Sequence, residues 1–279
     1  VESPHGAAVT AESLGMRGPR GWVFRNVTFS AAPGALVAVE GASGSGRTCL
    51  LLALTGRMRT TEGRAETGGL RLPKQAAAVR SIAALGPVPM VSELDPAFTV
   101  AEHLGERALL QGRYGASLRS LLRPRAERRA AATARVDEAL EAAGLDIAAL
   151  PKAGRTSVRD LERLEALRLS VALALIGKPR LLAVDDTDLK LSDAERDQAW
   201  ALLRSVAAGG TTVLAVCSEA PEDALVVRTD AAAGDRAPGT DAGPAGATAA
   251  AGTAPATDDP TTITTDEETA DAFAETGRS

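Results

Sequence analysis

Apolar residues along the 279-residue chain fall into two rhythms. Short unbroken runs predict strands buried on both faces: Ala35-Leu36-Val37-Ala38-Val39, Leu181-Leu182-Ala183-Val184 and Thr211 to Cys217, with Ala224-Leu225-Val226-Val227 as a shorter last one. Between them, helical spacing predicts helices from Thr48 to Thr60, from Thr99 to about Ala143, from Leu161 to Ile176, and from Ser192 through Trp200 and Leu203 to Gly209-Gly210. The ends carry matching chemistry. Thr99-Val100-Ala101-Glu102 and Ser192-Asp193-Ala194-Glu195 are capping boxes, and Gly177-Lys178-Pro179 is a helix-ending glycine followed by proline. The pattern predicts an α/β fold, a mostly parallel sheet covered by helices, with a helical subdomain at about 99–178 inserted between the halves of the sheet.

The pattern stops near Asp230. Beyond it the chain is Ala, Thr, Gly, Pro and acid, with Phe273 the only aromatic, too little apolar surface to offset chain entropy. The expected organisation is a short extension over 1–13, one domain over 14–229 and a disordered acidic tail over 230–279. The tail holds ten acidic residues against Arg236 and Arg278, which more than accounts for the net charge of −5. The body left behind is close to neutral, so charge gives no case for nucleic acid as a partner. No apolar run approaches the roughly 20 residues that span a bilayer, and no charged leader precedes an apolar stretch at the N-terminus, so a cytosolic location is expected. Cys49 and Cys217 have no metal-ligand spacing and read as buried small residues, and His5 and His103 carry no assigned chemistry.

Two segments carry chemistry. Gly41-Ala42-Ser43-Gly44-Ser45-Gly46-Arg47-Thr48 follows a strand and opens a helix, the arrangement of a phosphate-cradling loop. Glycines at 41, 44 and 46 let backbone N–H groups converge on phosphate oxygens, with Cys49 continuing the first helical turn. Thr48 is the candidate hydroxyl ligand for Mg²⁺. Arg47 stands where a Walker A motif has lysine. Farther on, Asp185-Asp186 ends the run from Leu181, putting two carboxylates at the C-terminal end of a strand, where open α/β sheets hold ligands. Asp185 is the second candidate for Mg²⁺ and Asp186 the candidate to orient an attacking water. A glycine-rich turn that binds nothing, and two acids opening a solvated loop, remain the plain alternatives.

From about Leu14 to Thr229 the order of segments resembles the ATP-binding cassette ATPases, P-loop NTPases that serve as nucleotide-binding subunits of ABC transporters. The likeness rests on Val27-Thr28-Phe29 with Pro33-Gly34-Ala35-Leu36-Val37, on Asp95-Pro96-Ala97-Phe98-Thr99-Val100-Ala101-Glu102-His103-Leu104, and on Gly177-Lys178-Pro179-Arg180-Leu181-Leu182. It implies ATP and Mg²⁺ as ligands, a transmembrane transporter subunit as partner, a second cassette in a homo- or heterodimer, and a place on the inner face of the cell membrane. The catalytic positions of the family are altered. Arg47 replaces lysine, Met90 falls where a glutamine senses the γ-phosphate, Asp186 replaces glutamate, and Ser218 takes the place of the switch histidine. Leu161-Glu162-Arg163-Leu164-Glu165 occupies the place of the L-S-G-G-Q signature, where Glu162 either opposes a partner's γ-phosphate or lies on a solvated face paired with Arg159, Arg163 or Arg168. Gly18 lies near the place of an adenine-stacking aromatic, with Trp22 a substitute or core residue, and Asp188 to Ser192 departs from the usual S-A-L-D loop. The helical subdomain also carries Arg107, Arg113, Arg119, Arg123, Arg125, Arg128, Arg129 and Arg135, a solvated face or a surface for acidic headgroups. The expectation is an ATP-binding transport subunit with weak or absent hydrolysis. The rivals are a non-catalytic cassette-fold scaffold and a soluble P-loop kinase.

Overall fold

A computed structural model of the chain describes residues 5–114 and 124–229. The segment read as a disordered tail, and Arg119 and Arg123, lie outside these residues. The strands form two sheets. One is antiparallel, in the order β2-β1-β4-β5, from β1 (Val9–Gly18), β2 (Gly21–Ala31), β4 (Glu62–Thr67) and β5 (Leu70–Leu72). The other is parallel throughout, in the order β6-β7-β8-β3-β9, from β3 (Leu36–Glu40), β6 (Ala83–Leu85), β7 (Leu181–Val184), β8 (Thr212–Cys217) and β9 (Leu225–Arg228).

The unbroken apolar runs have a direct cause: successive residues of β3, β7 and β8 feed opposite faces, and both faces are covered. Ala38, Leu182, Val184, Val213 and Ala215 pack in one buried cluster with the helices α3 (Val100–Tyr114), α4 (Arg125–Ala142), α5 (Arg163–Leu175) and α6 (Asp193–Ala208). Val37, Val39, Leu181, Ala183, Leu214 and Val216 pack in a second cluster with α1 (Arg47–Leu54), with Val79 of α2 (Ala76–Ile82), and with Val9, Leu14, Phe24 and Val27 of the antiparallel sheet.

The structure revises several boundaries. The segment 1–13, read as an extension, contains the first half of β1, and Val9 and Ala11 are buried there. Even before β1 the chain is tied to the parallel sheet, through Ala7 N–H to Arg180 O at 2.9 Å and Thr212 Oγ1 to Ala7 O at 2.8 Å. The helix expected to reach Thr60 stops at Leu54. Thr55 turns its hydroxyl back onto Leu51 O at 3.0 Å, and Gly56 takes a φ of 73°, which sends the chain off toward β4. At the end of α5 the left-handed residue is Lys178, at φ 48°, rather than Gly177. The helical pattern from Thr99 is carried by α3 and α4, with Pro124 fixing the backbone just before α4.

Candidate functional site

Because β8 lies between β3 and β7, the loops leaving β3 and β7 meet at the C-terminal edge of the parallel sheet. The loop from Gly41 is pinned at its base. Ser45 is buried with its Oγ 2.8 Å from Thr229 Oγ1, and a Cβ on Gly41 would lie 2.6 Å from that Oγ. Gly44 and Gly46 have left-handed φ values of 81° and 84°, and Gly46 caps α1. Ala42, Ser43 and Gly44 are exposed at the crest. Arg47, Thr48 and Cys49 form the first turn of α1, whose N–H groups have no partner within the helix.

One bond joins the two candidate segments: Thr48 Oγ1 donates to Asp185 Oδ2 at 2.6 Å. The other carboxylate oxygen of Asp185 accepts the Asp186 N–H at 2.9 Å. Asp185 is only 2% exposed. Burial pushes its carboxyl pKa up, the bond from Thr48 pulls it down, and the neighbouring Asp186 charge raises it again. Asp186 is half-buried at a φ of 49°. The Thr48 hydroxyl and the Asp185 carboxylate meet at this edge of the sheet and are hard oxygen donors of the kind Mg²⁺ takes. Among the described residues no group of three or more His, Cys, Asp or Glu side chains makes a metal cage.

A cavity of about 750 Å³ opens over this edge, lined by Ser43, Arg47 and Asp186 and also by Glu40, Asp188 and Arg228. Those last three were not among the candidates. Glu40 ends β3 and pairs with Arg228 of β9 at 3.0 Å, and Asp188 accepts the N–H of Ser218 at 2.6 Å. Glu40 was visible as the residue before the first glycine, but the partners of all three lie far away in sequence. Arg47 Nη1 donates to the carbonyl of Cys217, at the end of β8. Cys217 is buried as expected, whereas Cys49 is only partly buried; burial pushes the Cys217 thiol up to about 12 and also raises that of Cys49.

The remaining altered positions lie elsewhere or bond differently. Met90 is 95% exposed at a φ of 61° and does not line the cavity. Glu162 sits at the start of α5, where its N–H is taken by Glu165 Oε2 at 2.9 Å. Arg159 bonds Ser157 Oγ at 3.2 Å and Arg168 bonds Gln198 Oε1 at 2.9 Å, and among the described residues neither they nor Arg163 pair with Glu162 or Glu165. Gly18 closes the β1–β2 hairpin opposite Gly21, and Trp22 is half-buried with the Arg25 guanidinium 4.5 Å from its ring centre. No helix among the described residues is long and apolar enough to cross a membrane.

Comparison with known proteins agrees with this geometry. A family model described as "ABC transporter" matches residues 24–188. The chain is 30% identical over 196 residues to Nod factor export ATP-binding protein I of Paraburkholderia xenovorans, an alignment covering 69% of this chain and 56% of that protein. It is 33% identical over 193 residues to the protein of the same description from Burkholderia lata, covering 69% and 56%. The chain thus spans little more than half the length of these relatives. Among solved structures, a dimeric bacterial ABC transporter cassette superposes with a TM-score of 0.62 at 19% identity, over 80% of this chain and 94% of that one. A bacterial Atm1-family ABC exporter with ATP bound gives 0.57 at 24% identity, over 78% of this chain and 35% of that one.

Proposed function

This chain belongs to the ABC transporter family, and from that premise we propose that it is the ATP-binding subunit of a membrane exporter, holding Mg-ATP at the glycine loop and hydrolysing it slowly or not at all. The observation that carries the reading is the 2.6 Å bond from Thr48 to Asp185, which brings a phosphate-cradling loop and a buried acid to one point. The loop from Gly41 to Gly46 and the first turn through Arg47, Thr48 and Cys49 bind the phosphates with backbone N–H groups. Thr48 and Asp185 would hold Mg²⁺, which would supply neutralisation of the phosphate charge. Export as the direction of transport is supported by the description of the relatives, "Nod factor export ATP-binding protein I". The chain works at the inner face of the membrane through a transmembrane subunit and pairs with a second cassette.

Slow turnover is supported residue by residue. The Arg47 guanidinium is engaged with the Cys217 carbonyl, so phosphate must compete for it. It is also bulkier than an ammonium. Asp186 is one carbon shorter than glutamate, a withdrawal of about 1.5 Å. Misplacement by about 1 Å costs on the order of a hundredfold in rate. Ser218 lacks an imidazole, and Met90 is 95% exposed and outside the cavity lining.

Titration with a fluorescent ATP analogue tests binding. The expected result is saturable, Mg²⁺-dependent binding that Gly46→Asp abolishes. ATP turnover by the wild type, Arg47→Lys and Asp186→Glu then tests the chemistry, with low wild-type activity and incomplete rescue by either change. Rapid wild-type turnover overturns the slow-hydrolysis reading. Absence of saturable binding favours a second reading, a cassette-fold scaffold, for which the Arg47 bond to Cys217 across the loop is the supporting observation.

A further inference from the structure

Strand β9 ends on a cation set beside the glycine loop. Arg228 pairs in register with Glu40, the last residue of β3, and its Nε donates to Glu40 Oε2 at 3.0 Å. The next residue is tied to the loop itself. Thr229 is buried, its N–H donates to Glu40 O at 3.0 Å, and its hydroxyl lies 2.8 Å from Ser45 Oγ. Its carbonyl oxygen stands 2.7 Å from where a Cβ on Gly41 would lie. The backbone that carries Arg228 is therefore fixed against the base of the loop. Its side chain is not: 70% of it is exposed, and among the described residues the two Nη groups have no hydrogen-bond partner. Arg47 and Arg228 are the cations lining the cavity over the loop, against Glu40, Asp186 and Asp188. Arg47 is turned onto the Cys217 carbonyl, and Asp188 is taken up by the N–H groups of Ser218 and Glu219 at 2.6 and 3.3 Å. Arg228 is thus the lining cation held by a single, partly exposed ion pair, an interaction that other anions readily displace.

We propose that Arg228 binds the terminal phosphate of a nucleoside triphosphate, exchanging Glu40 for phosphate oxygens as the nucleotide enters, and so supplies from β9 the side-chain cation that Arg47 withholds. This rests on the reading of the glycine loop as a nucleotide site. A glycine loop cradles the inner phosphates on its backbone N–H groups, so the phosphate that reaches into the cavity shared by Asp186, Ser218 and Arg228 is the outermost one. A guanidinium on a long side chain presents paired N–H donors that match its oxygens. Glu40 keeps the cation beside the loop until this stronger anion competes for it.

Fluorescence titration of the full chain with the N-methylanthraniloyl derivatives of ADP and of β,γ-imido-ATP, each with Mg²⁺, tests the proposal without relying on turnover. Arg228→Gln is expected to weaken the triphosphate at least about tenfold and ADP less than about twofold. Arg228→Lys keeps the charge but not the planar fork, and should fall between wild type and Arg228→Gln. Should Arg228→Gln fail to fold, as judged by its melting transition, Arg228→Lys carries the comparison. Glu40→Gln releases the guanidinium and is expected to tighten the triphosphate, a gain mostly lost in Glu40→Gln/Arg228→Gln because it acts through Arg228. Arg71→Gln, an exposed arginine paired with Glu66 on the antiparallel sheet, should change neither nucleotide. Equal losses for the two nucleotides in Arg228→Gln, or a Glu40→Gln gain undiminished without Arg228, overturn the proposal. A wild type that binds both nucleotides, with a triphosphate-to-diphosphate ratio that Arg228→Gln leaves unchanged, overturns this inference alone. A wild type that binds neither overturns the nucleotide reading and this inference with it.

Discussion

Asp185 holds an acid in a place that disfavours its charge. Burial raises its pKa more than the bond from Thr48 lowers it, so the folded chain keeps this proton to a higher pH than the unfolded chain does. The sign follows from linkage: where the native state binds more protons, stability falls as pH rises from the ordinary carboxylate range through the raised value. Asp185→Asn removes the titration and keeps an acceptor for Thr48. Relative to wild type, the variant is therefore expected to gain thermal stability between about pH 4 and about pH 7, while Mg²⁺-dependent nucleotide binding is lost. Melting curves at both pH values check this, and a wild-type-to-variant difference that stays constant with pH would show that the carboxylate bears no such strain. The energy stored at Asp185 is what a bound cation would relieve, which links a local pKa to the proposed ligand.

The glycine loop works as an element because it is seated on the neighbouring sheet as well as on α1. Gly44 and Gly46 share left-handed backbones, yet a Cβ on Gly44 meets nothing within 4 Å, while one on Gly46 would lie 2.5 Å from the Val23 carbonyl oxygen of β2. Gly44→Ala is expected to cost only the left-handed penalty, roughly 1–2 kcal/mol. Gly46→Ala adds a collision with backbone that cannot swing aside, and the loss should reach about 3 kcal/mol or more. Denaturant unfolding of the two variants gives the comparison, and equal losses would mean that the loop is not held against β2. The glycines, the strand ending at Glu40 and the acid pair after Val184 were legible in the sequence because buried parallel strands and tight turns leave unbroken runs and fixed residue types. The antiparallel sheet was not legible. β1 pairs with β2 through three shifts of register, which breaks the alternation that marks a strand, and β4 shows a polar, mostly exposed first half. Glu40, Asp188 and Arg228 were not read as cavity residues for a different reason, since their places depend on contacts the fold brings together: Arg228 with Glu40, and Ser218 with Asp188.

At the scale of the whole molecule, the strand order β7-β8-β3 explains why segments more than a hundred residues apart make one site, a convergence that sequence order alone does not fix. The same scale governs the proposed pairing with a second cassette. The resemblance puts the start of α5 at the family's signature, and the first-turn acid of this helix, Glu165, already bonds the Glu162 N–H, so this helix end carries its own anion. In a pair of these chains, Glu162 and Glu165 would approach a triphosphate held by the other copy. A like-charge contact at about 4 Å near a protein surface costs on the order of 4 kcal/mol, equivalent to roughly a thousandfold in Kd. The chain alone is therefore expected to stay monomeric in sedimentation with saturating Mg-ATP, and Glu162→Ser/Glu165→Gln to move it toward a nucleotide-dependent dimer. A wild-type dimer that forms with Mg-ATP and disperses without it would mean that these acids turn away from the phosphate. A variant that stays monomeric while still binding nucleotide would move the obstacle from charge to the missing glycines of the signature, because Arg163 and Leu164 lack the close backbone approach that glycine permits.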